Sequence, residues 1–391
     1  WCVGAGHNRK PINEAIKQQL DTLDYSTAFS VSNDKAFRAA EMIAAMAPGD
    51  LNKVLFCNSG SEAADTSMKV ALAYHRARGE GHRNVFIGRE RGYHGVGFGG
   101  MSVGGIPANR KVYGAALLPR VDHLRFIHDP VKHAYVHNTE PVWDEDLLLE
   151  LENRILPLHD PSNVAAVIVE PVAGSAGWYV PPQGYLKRLR EICDKHGILL
   201  IFDEVITGFG RMGALTAAEA LGVTPDLMTC AKGLTNGAVP MGAVGVSSAV
   251  YQAVVEGAAG PGIEFFHGYT YSGHPLAAAA GLATLDVYES EGLFQRAAEL
   301  TPYWQDAVHS LKGLPHVIDI RDLGLVAGIE LAPRPGAPGA RATEVFHQAF
   351  DDGILVRVTA DVIALSPPLI ISHAQIDELI DRLSNIIENT P

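Results

Sequence analysis

Three observations predict an α/β protein with a mostly parallel sheet and a smaller α+β domain. Apolar runs of Val, Ile and Leu alternate with helix-period segments through the first two-thirds of the chain. Acidic residues sit at the ends of several of those runs, and the texture changes after Pro275. Strands that are apolar throughout belong to a sheet covered on both faces, which is how parallel sheets occur. The patterning places strands at 54–57, 84–87, 164–170, 198–203, 227–230 and 242–246. It places helices at 34–47, 62–78, 143–156, 184–196 and 248–256. Beyond Pro275 it gives helices at 276–289 and 293–311, strands at 317–321 and 325–331, and a loop at Arg334-Pro-Gly-Ala-Pro-Gly339. A further helix, strands at 354–358 and 362–365 and a helix at 374–388 complete the tail. The expected division is a large domain at 33–275 and a small domain formed by 1–32 with 276–391.

The chain has 391 residues and 47% hydrophobic composition, enough for a large core in two domains. No apolar stretch is long enough to span a bilayer, so no membrane association is expected. A net charge of −13 without a Lys/Arg run argues against a nucleic-acid partner. Cys2, Cys57, Cys193 and Cys230 are scattered, with no C-x-x-C spacing. That fits a reducing compartment, so a cytoplasmic location and no metal site are expected. The chain opens at Trp1-Cys-Val3 without methionine, so a further N-terminal segment is expected, and a targeting segment stays open.

The chemistry concentrates on two segments. Ile198-Leu-Leu-Ile-Phe-Asp-Glu-Val205 ends a buried-strand pattern on an acidic pair. A carboxylate there is costly unless a cation or cationic ring faces it. Lys232 follows the apolar run that begins at Leu227 and sits between Ala231 and Gly233. Desolvated in a tight turn, a lysine becomes a neutral amine, the form that attacks a carbonyl carbon. Pyridoxal 5'-phosphate (PLP) needs this pair: an amine for its aldehyde, and a carboxylate such as Asp203 to keep its ring nitrogen protonated. A structural ion pair is the competing reading of Asp203.

Other segments carry weaker signals. In Cys57-Asn-Ser-Gly-Ser-Glu-Ala63, Gly60 and Ser61 open a helix and can seat an anion, although Ser59 and Glu62 also spell a capping box. Tyr93, between the glycines of Arg91-Gly-Tyr-His-Gly95, can lie flat on a cationic ring or be an ordinary turn tyrosine. Glu170 ends a buried strand where ligands of α/β sheets bind, or is a solvated loop residue. Val205 is on the same side of its strand as Asp203, placed to pack on a ring. Gly208-Phe-Gly-Arg-Met-Gly213, with Asp226 18 residues after its first glycine, matches a dinucleotide fingerprint and keeps an NAD-binding oxidoreductase as a rival. Against it, Asp203 and Glu204 would repel a pyrophosphate, and Asp226 precedes its strand. The run His267-Gly-Tyr-Thr-Tyr-Ser-Gly-His-Pro275 offers the hydroxyls of Thr270 and Ser272 to a phosphate, or merely connects domains. Arg357 alternates with Val356 and Val358 and either binds a carboxylate or snorkels at the surface.

Taken together, these segments resemble the class III PLP-dependent aminotransferases of fold type I, along essentially the whole chain. The most specific stretch is Ile201-Phe-Asp-Glu-Val-Ile-Thr-Gly-Phe-Gly-Arg-Met-Gly213 with Pro225-Asp226 and Ala231-Lys-Gly233. The resemblance implies that Lys232 ties to the cofactor and shuttles protons, and that Asp203 pairs with the ring nitrogen. It implies that Val205 and Tyr93 sandwich the ring, that Glu170 lies beside the cofactor, and that Gly60 and Ser61 hold the phosphate together with Thr270 of the other subunit. A site built across a twofold axis implies an obligate homodimer, with further association to a tetramer open. Within the family, Trp1-Cys-Val-Gly-Ala-Gly-His7, Glu170-Pro-Val-Ala-Gly-Ser-Ala-Gly177 and Asn236-Gly-Ala-Val-Pro-Met-Gly242 resemble the ω-amino acid:pyruvate branch. Where other branches carry a gating glutamate, this chain has Ser175, which leaves Arg357 free to meet a substrate carboxylate. Trp1, Phe29, Tyr93 and Ser175 are the implied pocket walls. The tail Ser366-Pro-Pro-Leu369 looks more like amine:pyruvate or taurine:pyruvate enzymes. A decarboxylase or aminomutase of the same fold would share Lys232 and Asp203.

Overall fold

The computed structural model describes residues 1–137, 139–142, 146–258 and 262–391. Seven strands form the larger sheet: β1 (Lys53–Cys57), β2 (Val85–Arg89), β3 (Val121–Leu124), β4 (Val164–Val169), β5 (Leu199–Asp203), β6 (Leu227–Cys230) and β7 (Gly242–Val246). Their order is β1-β7-β6-β5-β4-β2-β3, and β7 alone runs antiparallel to its neighbours. The central strands are apolar on both sides because both sides are covered. Val167 and Val169 join Leu200 and Phe202 in one core cluster, while Ala166 and Ile168 join Leu199 and Ile201 in another.

The second sheet is antiparallel: β8 (Val317–Asp322), β9 (Ala327–Leu331), β10 (Arg357–Thr359) and β11 (Val362–Leu365), in the order β10-β11-β9-β8. The helices Leu293–His309, Ala340–Asp351 and His373–Asn389 cover it, burying Trp304, Val345 and Leu383 against Ile329 and Ile363. A buried ionic group ties this sheet to the loop after β4. Arg321 pairs with Asp319 and Glu330, reaches Gly177 O at 3.2 Å, and lies 4.0 Å from the Tyr179 ring centroid.

Several expectations need correction. The strand expected at 354–358 is only Arg357–Thr359, because Ile354 N–H still closes the preceding helix onto Ala349 O. The helix expected at 143–156 begins outside the described residues. Its described part is Asp146–Glu150, a π-turn at Leu151–Ile155, and Leu156–His159. β3 and the helices Lys10–Thr22, Phe98–Val103 and Pro107–Lys111 were not expected. Their segments are short or too polar to show a period alone.

Candidate active site

A cavity of about 130 Å³ opens at the carboxyl ends of β4, β5 and β6. This is where open α/β sheets bind ligands, because the loops leaving successive strands diverge there. β5 delivers Asp203 to its floor. Parallel pairing sets Asp203 opposite Thr229 of β6, whose hydroxyl donates to Oδ1 at 3.0 Å, and Val205 N–H donates to the same oxygen at 3.1 Å. His94 Nδ1 lies 2.8 Å from Oδ2, and both side chains are buried. Its Nε2 has no protein partner among the described residues. Glu204 turns the other way. Its carboxylate accepts from Thr207, from Ala217 N–H at 3.0 Å and from Ala218 N–H at 2.7 Å, capping the helix Ala217–Ala220. The acidic pair therefore divides into one group facing the cavity and one holding the neighbouring loop.

Lys232 begins the short 3₁₀ turn Lys232–Thr235 with φ of 46°, left-handed backbone at a non-glycine residue. Such a conformation costs about 1–3 kcal/mol and persists only where its surroundings enforce it. Here Asn236 grips the N-terminal segment, accepting from Ala5 N–H at 2.9 Å and donating to Gly6 O at 2.8 Å, while Tyr288 OH donates to Gly233 O at 2.9 Å. Burial pushes the Lys232 amine below its ordinary value. Asp203, Cys2 and Glu170 oppose that shift, and Arg357 adds to it. A larger share of neutral amine results, the nucleophilic form.

Glu170 is 4% exposed, which removes the solvated-loop reading. Its Oε1 accepts Tyr93 N–H and its Oε2 accepts Gly174 N–H, each at 2.9 Å, so it holds the Tyr93 turn against the wall. Burial raises its pKa, with Asp203 adding to the rise. On the opposite side the helix Gly60–Ala77 points its first turn at the cavity. Ser59 Oγ accepts Glu62 N–H at 3.2 Å while the Glu62 carboxylate accepts Asn58 N–H at 2.7 Å. Capping therefore does not exclude an anion at this helix start, because helical N–H groups of the first turn have no partner within the helix. Gly60 is required by Val205: a Cβ there would lie 2.9 Å from Val205 Cγ1.

The cavity brings together Gly60, Ser61, Tyr93, Glu170, Asp203, Val205 and Lys232. Trp1 and Arg357 line a separate, wider chamber, where Trp1 stacks on Trp178 at 6.0 Å. Ser175 is buried in the turn after β4, whereas Phe29 and Thr270 are exposed, and none of the three lines the Lys232 cavity. Ser272 does not offer its hydroxyl to an anion, since it donates to Phe56 O at 2.8 Å. The dinucleotide reading fails structurally. Gly208–Gly213 opens no helix, and Asp226 is taken by Arg190 and Leu200 N–H, each at 2.7 Å. His94 and Thr229 went unassigned in the sequence. His94 adjoins Tyr93 and was a visible candidate, whereas Thr229 needed the strand register.

The chain belongs to the class III aminotransferases: the family model described as Aminotransferase class-III matches residues 1–387. It is 59% identical over 391 residues to an omega-aminotransferase of Caulobacter vibrioides, covering 99% of this chain and 87% of that one. It is 49% identical to a beta-alanine–pyruvate aminotransferase of Pseudomonas aeruginosa, covering 99% and 86%. Among solved structures, an amine transaminase from an uncultivated Pseudomonas species in its PLP-bound form aligns with a TM-score of 0.91 at 34% identity, covering 100% of this chain and 89% of that one. The protein is a PLP-dependent aminotransferase of fold type I. The cavity has the chemistry this cofactor requires: an amine shifted toward its neutral form, a buried carboxylate held by His94 and Thr229, and a helix N-terminus for the phosphate.

Proposed function

We propose that the protein transfers an amino group from an ω-amino acid such as β-alanine, or from a primary amine, to pyruvate, giving alanine. The observation that carries this reading is the convergence of the Lys232 amine and the buried Asp203 carboxylate on one cavity of the family fold. The two relatives named above, one an omega-aminotransferase and the other acting with β-alanine and pyruvate, support the choice of substrates.

PLP held here would supply an aldehyde for the donor nitrogen and a cationic ring as the electron sink for the donor carbon. Asp203 keeps that ring nitrogen protonated, and His94 and Thr229 fix the orientation of its carboxylate. Lys232 is the cofactor's covalent anchor and, once free, the base that removes the donor's proton and returns it on the other side of the exchange. Val205 and Tyr93 pack against the ring faces, with Glu170 holding the Tyr93 turn. Gly60 and Ser61 bind the phosphate with the first-turn N–H groups. Trp1, Phe29 and Ser175, none of which lines the Lys232 cavity, are assigned to the substrate space by the resemblance, and Arg357 in the neighbouring chamber, with no ion-pair partner among the described residues, is assigned the substrate carboxylate.

The larger sheet with its helices forms the PLP-binding domain at 33–275, and the smaller sheet with both chain ends forms the second domain. The working unit is a homodimer in the cytoplasm, with Thr270 reaching the phosphate of the other subunit. Exposed Val96, Phe98, Phe266 and Tyr271, at 52–81% exposure, support a covered face near the site.

The test is alanine formation from pyruvate with a panel of β-alanine, taurine, an arylalkylamine and a diamine. Alanine is expected with β-alanine or the arylalkylamine, and Lys232→Ala is expected to abolish it. Turnover by that variant at the wild-type rate, or release of CO₂ without alanine, would overturn the proposal.

A further inference from the structure

The loop that carries Thr270 is bound to the helix behind the phosphate seat by a chain of side chains outside the catalytic cavity. Thr66 and Lys69, one turn apart on the helix Gly60–Ala77, both reach His267. Lys69 Nζ lies 2.8 Å from His267 Nδ1, and Thr66 Oγ1 lies 2.8 Å from His267 Nε2. Thr66 Oγ1 is also 3.2 Å from Tyr269 OH and 3.5 Å from Cys57 Sγ. The other flank of Thr270 is fixed by Ser272, which donates to Phe56 O at 2.8 Å and accepts Tyr269 N–H at 3.2 Å. Thr270 itself stands exposed between these anchors, with its carbonyl taken by Tyr25 OH at 3.2 Å.

These contacts fix the state of the imidazole. An ammonium group only donates, so Nδ1 must accept from Lys69 and cannot carry a proton. The ring proton is then on Nε2 and is donated to Thr66, whose own hydroxyl proton passes on to Tyr269 OH, while the Cys57 thiol donates to Thr66. The clamp therefore exists only with neutral His267.

We propose that neutral His267 is a positioning residue that clamps the 265–274 loop to the 60–77 helix and so presents Thr270 to the cofactor phosphate of a second subunit. The inference rests on the reading of Thr270 given above and adds what holds it in place. Protonation of His267 sets two cations against each other where the hydrogen bond was, and the loop loses its grip on the helix.

The charged and titratable groups around the ring do not offset this. Lys69 faces it from the helix. Glu62 and Asp65, earlier on that helix, act on Tyr269, while Lys53 of β1 and Glu264 line the same groove. No carboxylate bonds His267 among the described residues. Burial, followed by Lys69, holds its pKa below the ordinary imidazole value. With a folded pKa below the unfolded one, the clamp is intact above the ordinary imidazole pKa and is lost as pH falls through the lower, folded value.

The experiment measures PLP affinity of the full-length protein by cofactor absorbance after dialysis, from about pH 8 down to about pH 5, across the imidazole range. Wild type is expected to lose PLP on the acid side. H267F, which removes both hydrogen bonds, is expected to bind PLP about tenfold or more weakly already at neutral pH. H267Q keeps a donor toward Thr66 but cannot be protonated, so its acid limb is expected to flatten. T270A separates the two readings. Unchanged PLP affinity in T270A sinks the phosphate role of Thr270. Weakened binding in T270A together with wild-type affinity in H267F, or an H267Q acid limb that overlays wild type, sinks the clamp alone. Where H267F does not fold, the H267Q profile decides.

Discussion

Gly60→Ala isolates the close approach of Gly60 to Val205 across the cavity. Two effects oppose each other. Gly60 opens a helix and its φ lies outside the left-handed region, so alanine gains backbone entropy worth at most about 1 kcal/mol. The new Cβ would stand 2.9 and 3.0 Å from the two Val205 methyls and 3.6 Å from Ala231 Cβ. Contacts that short force the valine or the helix to move, and overpacking of this kind costs about 1–3 kcal/mol. The backbone gain is common to the apoprotein and the loaded protein and cancels from binding, so the steric cost of about 1–3 kcal/mol is what binding reads. Because Val205 forms the cavity wall, the displacement falls on the cofactor rather than on the core. PLP binding should weaken by about 5–150-fold, with apoprotein stability changed by no more than about 1 kcal/mol. Titration of dialysed apoprotein with PLP, beside thermal melts, reads both. Affinity within roughly twofold of wild type would refute the packing argument, as would a loss of apoprotein stability as large as the loss of binding.

Three further outcomes follow from the same geometry. Burial keeps the Lys232 pKa below its unfolded value, so folding resists a proton that the unfolded chain accepts. Lys232→Met should therefore raise the apoprotein melting temperature at neutral pH, and the advantage should shrink as pH rises toward the ordinary lysine value; a constant offset across that range would contradict the sign. Glu170→Gln leaves Tyr93 N–H or Gly174 N–H facing an amide donor, which should cost about 1–3 kcal/mol in denaturant unfolding and weaken PLP binding. Trp304, fully buried beneath the smaller sheet, should cost about 3–5 kcal/mol when cut to alanine, measured by urea unfolding of the apoprotein.

The parts of the site that lie next to one another in the chain were legible early. Asp203 could be placed at a strand end because β5 is apolar on both faces, and Lys232 because small residues flank it. Tyr93 and Val205 followed from those neighbours. Residues 354–358 misled, since the alternation of Val356 and Arg357 exists but Ile354 still closes the preceding helix and the strand starts only at Arg357. The acidic pair looked like a single feature, yet Glu204 holds a loop while Asp203 faces the cavity.

By itself, then, the sequence determined the α/β alternation, the lysine and carboxylate that meet in one cavity, and the family to which the chain belongs. These are written in local hydrophobic period and in short motifs. Only the tertiary structure decided that Thr229 and His94 share the Asp203 carboxylate, that Glu170 is bound by two backbone N–H groups, and that Asn236 and Tyr288 hold the Lys232 turn. All of those contacts but the one from Gly174 N–H to Glu170, four residues away, join residues far apart in the chain. Strand register and loop closure set them, and neither leaves a periodic trace in the segments it brings together.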